Sequence, residues 1–239
     1  SVNTSKTIYK TFLNFNKLSV SVRSINSNIF FVRTNGSIYF ENTSFDKLVQ
    51  NWSTGADPCV EMFPLINHCT NMFIDINDKF YCSLGDKHQV VKINIRDSKE
   101  KMEIGNGTRG STSNLLNQPT GIFVDEKLNL YVADSGNNRI QLFLPQQKSG
   151  TTIVSNGLNF PTGIVVDKNG NLLIADHANH RIVMSTINGI RCVAGCSRVN
   201  QLKNPKIFWF DDVGNMFVFD TINKEIQKFP QMTNLYGIL

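Results

Sequence analysis

Residues 118–143 read QPTGIFVDEKLNLYVADSGNNRIQLF, and residues 160–184 read FPTGIVVDKNGNLLIADHANHRIVM. Asp125 of the first copy and Asp167 of the second lie 42 residues apart, so the chain is built on a repeat and has to be read in repeat register. The same phase picks out Asp75 in NMFIDIND and Asp211 in KIFWFDD, and six residues beyond each Asp stand Tyr81, Tyr131, Leu173 and Phe217. Upstream, Arg33 before Tyr39 and Asn3 before Tyr9 keep the phase. Six copies result, with steps of 30, 42, 50, 42 and 44 residues.

Each copy reads as strands. GIFV, GIVV and IFWF are continuous apolar runs too short for buried helices, as expected of an inner strand covered on both faces. NLYVAD, NLLIAD and NMFVFD follow after turn residues, of which Asn169-Gly170 is a hairpin signal. RIQLFL, RIVMS and EIQKF supply a third strand, and GTTIVS or GIRCVAG a fourth. No segment sustains a 3.6-residue period between helix start and stop signals. Four short strands in a step of 42 residues match one propeller blade, and six blades close into a ring with few exposed edges.

This predicts an all-β, six-bladed propeller in one domain over residues 1–239, with repeats at about 1–26, 27–68, 69–118, 119–160, 161–204 and 205–239. The short first step predicts a truncated first blade that keeps strands at 7–12 and 17–23. The long step before Asp125 predicts an insertion over 96–117. Closure is expected either through residues 234–239 or through a strand upstream of Ser1. The start on Ser1, with no initiator Met and no apolar or basic leader, is expected of a processed form or a piece of a longer chain.

The assembled residues, P-T-G-I-x-V-D, N-L-x-x-A-D and N-x-R-I, resemble the NHL repeat, and Asn179-His180-Arg181-Ile182 falls on its name-giving segment. The match is strongest in the copies beginning at Pro119 and Pro161. Leu84 in place of the second Asp, and Arg33 and Asn3 in place of the first, mark decayed copies. The resemblance implies an NHL-type propeller, a fold used by interaction scaffolds. It is also similar to six-bladed enzymes of the lactonase and peptide-amidating-lyase kind, which hold a central metal.

The repeated polar residues have structural roles to fill first. Asp125, Asp167 and Asp211 sit where a strand turns, so their carboxylates are expected to cap the turn. Asp134 with Arg139, and Asp176 with Arg181, stand five apart across a turn, close enough for a charge-assisted hydrogen bond; Asp220 holds the same place in the last copy. Function is therefore sought in loops between the second and third strands, whose residues differ between copies: Gly136, Asn137 and Asn138; His177, Asn179 and His180; Thr221, Asn223 and Lys224. A protein or peptide ligand is the expected partner, with no catalytic residue, metal or cofactor assigned.

Other chemistry finds less support. Residues 105–110, GNGTRG, match G-x-G-x-x-G, but Ser-Thr-Ser-Asn and then Pro119 follow where a dinucleotide site needs a helix. His177 and His180 beside Asp176 do not have zinc spacing, and the C-x3-C of Cys192 and Cys196 has no second pair. A bridge between these two cysteines is possible if the segment turns back on itself, and two buried thiols are the other reading. Five cysteines exceed the needs of a cytosolic domain. The net charge of +5 is scattered among acids, so nucleic acid is not the expected partner. Five N-x-[ST] sequons, at Asn3, Asn35, Asn42, Asn51 and Asn106, against about four expected by chance, add little. Cysteines and Asn-rich loops tilt the expected location to the extracellular side. No apolar run is long enough to span a membrane as a helix.

Overall fold

The computed structural model describes residues 69–230, apart from 96, 98, 168, 198–201 and 212–213, and the strands between residues 30 and 64. The expectations for residues 1–26 and 231–239, including the truncated first blade and its strands, fall outside the described residues. The chain divides into two compact units, Ser1–His68 and Cys69–Leu239.

In the first unit, β1 (Phe30–Val32), β2 (Ile38–Asn42), β3 (Leu48–Trp52) and β4 (Val60–Pro64) form one antiparallel meander. The second unit holds three more four-stranded meanders. They are β5 (Asn71–Ile74), β6 (Lys79–Leu84), β7 (Gln89–Asn94) and β8 (Lys101–Ile104); β9 (Pro119–Val124), β10 (Leu130–Asp134), β11 (Arg139–Phe143) and β12 (Thr151–Val154); and β13 (Pro161–Val166), β14 (Leu172–Asp176), β15 (Arg181–Thr186) and β16 (Gly189–Ala194). A sheet of three strands among the described residues follows: β17 (Pro205–Phe210), β18 (Met216–Asp220) and β19 (Glu225–Phe229). β8 corrects the expected insertion. Lys101–Ile104 pairs with β7 as the fourth strand of its sheet, so the surplus residues lie after Ile104.

The inner strands β5, β9, β13 and β17 stand side by side in sequence order, and each sheet lays one face on the next. The first seam packs Tyr81, Val90 and Ile104 on Ile122, Val124, Leu130 and Val132. The second packs Ala133 and Ile140 on Ile164, Leu172 and Ile174. The third packs Leu173, Ala175, Ile182 and Met184 on Phe208, Met216 and Val218. β9 and β13, with an inner strand packed on either side, are largely covered on both faces, which is why they read as continuous apolar runs. These sheets are propeller blades.

Glycine at one position makes the seams possible. A Cβ on Gly121 would collide with the carbonyl oxygen of Thr162 in the next inner strand, and one on Gly163 would lie 3.0 Å from that of Lys206. The G of P-T-G is thus set by the close approach of two backbones.

Candidate functional site

The turn between the first two strands of each blade is organised by its Asp. Asp125 Oδ1 accepts the amides of Lys127 and Asn129 at 2.9 and 2.8 Å, while Oδ2 takes the Asn129 amide side chain at 2.8 Å and the Tyr131 hydroxyl at 3.3 Å. Asp167 bonds the amides of Asn169 and Asn171 and the Asn171 side chain, and Asp211 does the same with Asn215. Asp75 accepts from Asn77, Lys79 and the Tyr81 hydroxyl, the last at 3.0 Å. Burial first, and then the neighbouring carboxylate, push both tyrosine hydroxyls above their ordinary range. The Asn four residues after the Asp is a partner the sequence reading missed, although D-x3-N recurs in three copies.

The second Asp is fully buried and ties three segments together. Asp134 accepts the Asn117 amide at 2.6 Å, the Asn137 side chain at 2.8 Å and Arg139 Nε at 2.7 Å. Asp176 repeats the set with Asn159, Asn179 and Arg181 at 2.7, 2.9 and 2.8 Å. Each Arg then reaches the loop that leads into its own blade. Arg139 donates to the carbonyls of Ser111, Thr112 and Leu115, and Arg181 to that of Gly157. Asp220 differs: Glu225 stands in the Arg position, and the carboxylate is held by the Lys203 and Asn223 amides and the side chains of Asn223 and Gln227.

The loops between the second and third strands lie at the same end of the sheets as the segments leading into each blade, because adjacent strands are antiparallel. Residues 85–87, 135–137 and 177–179 form single 3-10 turns, and His88, Asn138, His180 and Lys224 follow at φ of 53°, 54°, 58° and 56°. This left-handed residue reaches into the next blade. His88 Nδ1 accepts the Gln118 amide at 3.0 Å, Asn138 Oδ1 that of Phe160 at 2.8 Å, and His180 Nδ1 that of Asn204 at 3.2 Å. Both histidines must therefore keep Nδ1 unprotonated to hold the bond.

A second stitch lies nearer the inner strands. Thr120 Oγ1 donates to the Pro161 carbonyl at 3.2 Å, and Thr162 Oγ1 to those of Pro205 and Lys206 at 3.2 and 2.9 Å. Ser135 Oγ donates to the Pro161 carbonyl at 2.6 Å, and in the next blade His177 Nδ1 meets the Pro205 carbonyl at 3.1 Å. His177 thus stands in for Ser135. Its Nδ1 must carry the proton, since a carbonyl can only accept, and Nε2 then accepts from the Asn204 side chain at 3.0 Å. Burial first, and then Lys206 and His180, lower its basicity, opposed by the bond to Pro205.

Of the loop residues singled out as contacts, then, Asn137, Asn179 and Asn223 bind their buried Asp, Gly136 donates its amide to the Asn117 carbonyl, and Thr221 donates its hydroxyl to that of Asn204. The exposed members are Asn138, Asn179, His180, Asn223 and Lys224. Among the described residues no group of three or more His, Cys, Asp or Glu is placed to hold a metal ion, and the turn carboxylates are engaged by their own amides.

Cys192 and Cys196 are joined across the end of β16, with Cα atoms 5.8 Å apart. A second disulfide, Cys69–Cys82, ties the approach to β5 onto β6; its separation of 13 residues gave no sequence signal.

Family models and solved structures agree with this geometry. The NHL repeat model matches residues 116–143 and 158–183, the two blades quoted at the outset. A virginiamycin B lyase from Staphylococcus aureus is 13% identical with a TM-score of 0.61, over 89% of this chain and 72% of the lyase. A nidogen/laminin complex gives 13% identity and a TM-score of 0.66, over 83% of this chain and 73% of the other. A candidate gluconolactonase gives 12% and 0.60, over 87% and 81%. No curated protein sequence matches the chain. The fold and its stitched loops define an all-β propeller. The protein carries NHL repeats in at least two of its blades.

Proposed function

We propose that the protein is a non-enzymatic scaffold that binds a protein or peptide at the sheet ends carrying residues 136–138, 177–180 and 221–224. The full chain is read as one six-bladed propeller domain over residues 1–239. The observation that carries the function is the division of labour among polar side chains. The repeating Asp, Asn, Arg, Thr and Ser residues are committed to turns, hairpins and stitches within and between blades, while the exposed residues at these loop tips vary from blade to blade. A rigid frame with variable tips is what a recognition surface requires. Solved relatives in the fold include a nidogen/laminin complex, which supports a binding role by analogy alone. Two disulfides support an extracellular setting.

Capture of partners on immobilised protein, compared with a variant altered at Asn138, His180 and Lys224, tests the reading. Loss of a specific partner, in a variant that still unfolds cooperatively and is destabilised only by the two missing latches, is the expected result. Hydrolysis of a lactone or ester, or a lyase reaction, that disappears on chelation would overturn it in favour of an enzyme. That rival is favoured by the likeness in fold to the lyase and the gluconolactonase. RNA binding, the other rival, requires an affinity that falls steeply with salt.

A further inference from the structure

The Pro205–Phe229 blade departs from its neighbours in one consistent way. At the position of Asn117 and Asn159, whose amides bind the buried Asp, it has Lys203. At the position of Thr120 and Thr162, whose hydroxyls stitch onto the next inner strand, it has Lys206. At the position of Asn138 and His180, whose side chains latch the next blade, it has Lys224. Three neutral hydrogen-bonding residues have become lysines, all exposed and all at the same end of the sheet. None forms an ion pair with a described residue. Meanwhile Glu225 stands where the two preceding blades have Arg139 and Arg181, each bonded to its buried Asp.

The three lysines are held together by the backbone. Lys203 donates its amide to Asp220 and accepts from Ile222 through its carbonyl at 3.3 Å, while Asp220 pairs across the sheet with both Pro205 and Glu225. Ile222 projects from the middle of this turn, 57% exposed. The carboxylates nearby are engaged: Asp220 is buried under four N–H donors, and Glu225 accepts from Gln227 at 3.0 Å. Burial first, and then Lys206, disfavour protonation of His177 beside this cluster.

We propose that Lys203, Lys206 and Lys224 around Ile222 form the docking site for an acidic segment of a protein partner that carries an aliphatic side chain. This deepens the scaffold reading and rests on it. Charge complementarity selects the acidic partner, and Ile222 supplies an apolar anchor among the ammonium groups. Among the described residues the exposed large apolar side chains are Ile and Leu, with no exposed Phe, Tyr or Trp for bases to stack on, so a peptide is favoured over single-stranded RNA.

The test is fluorescence anisotropy on the whole chain with a labelled peptide of alternating Glu and Leu. Its Gln-for-Glu counterpart and a poly-uridine oligonucleotide run beside it. Lys206→Glu with Lys224→Glu should weaken the acidic peptide about tenfold or more, because each exposed pair contributes up to about 1 kcal/mol and reversal replaces attraction with repulsion. Lys127→Glu with Lys148→Glu, at the opposite sheet ends, should leave it unchanged, and the Gln peptide should not bind. Equal binding by the two double variants would overturn the site while leaving the scaffold reading intact. No binding of the acidic peptide, or tighter binding of the oligonucleotide at the same lysines, would also overturn it. The scaffold reading fails separately, through chelator-sensitive turnover.

Discussion

Asp134 and Asp220 occupy equivalent positions and are equally buried, yet only Asp134 faces a guanidinium. Asp134→Ala therefore strands the buried Arg139 charge as well as two amide donors, and should cost about 3–5 kcal/mol in urea unfolding. Asp220→Ala strands amides alone and should cost about 1–3 kcal/mol. Equal losses would show that the Arg pair adds nothing to the turn. His177 makes the second prediction at this scale. Its folded state binds a proton less readily than the unfolded chain, so the unfolded state gains protons first as pH falls. The contribution of His177 is thus complete above about pH 6.5 and is lost as pH drops below it. His177→Ser, which copies the Ser135 bond, should flatten that part of the stability profile. An unchanged profile would assign the slope to other groups.

Elements are set by seams as much as by strands. The Phe73 and Phe123 rings meet edge to face at 5.4 Å across the first seam, and Thr120 and Thr162 stitch inner strand to inner strand across the second and third. Gly121→Ala places a methyl against a backbone carbonyl that belongs to the neighbouring blade and cannot rotate away, so an overpacking cost of about 1–3 kcal/mol or more is expected. Gly170→Ala, in the β13–β14 turn at φ 79° with nothing within 4 Å of an added Cβ, bears only the left-handed strain, about 1–2 kcal/mol. Thermal melts of the two variants should separate them, with Gly121→Ala the lower. At this scale the sequence was legible where the period was kept. β9, β10, β11, β13, β14 and β15 begin and end close to the quoted runs, because their near-continuous burial writes itself into residue type. β8 was not, since KMEI has neither the apolar run of an inner strand nor a turn signal before it, and only pairing with β7 makes it a strand.

For the whole molecule, the single-domain, six-bladed reading predicts one compact particle. A chain of 239 residues packed as one body should scatter with a radius of gyration near 18 Å. A value well above that would mean that the two units move as separate bodies. The candidate site belongs to this scale as well. Residues 138, 180 and 224 were legible as variable loop tips, but the stitching role of Asn138 and His180 was not, because His88, Asn138 and His180 are not one residue type. Their common property is an acceptor atom placed by a left-handed backbone against the amide of the next blade, which only the packed blades reveal.

Sequence alone determined the repeat, the strand order within a blade and the residues that close each turn, because these depend on local spacing: an Asp two and four residues before the amides it caps, an Asp five residues before the Arg it binds. Tertiary structure alone decided what happens between blades. It gave His177, which the repeat aligns with Ser135, the same task as that serine, since both meet the carbonyl of the next inner-strand proline. It also brought Lys203, Lys206 and Lys224 to one sheet end, where backbone pairing holds together charges that the sequence spreads over 22 positions.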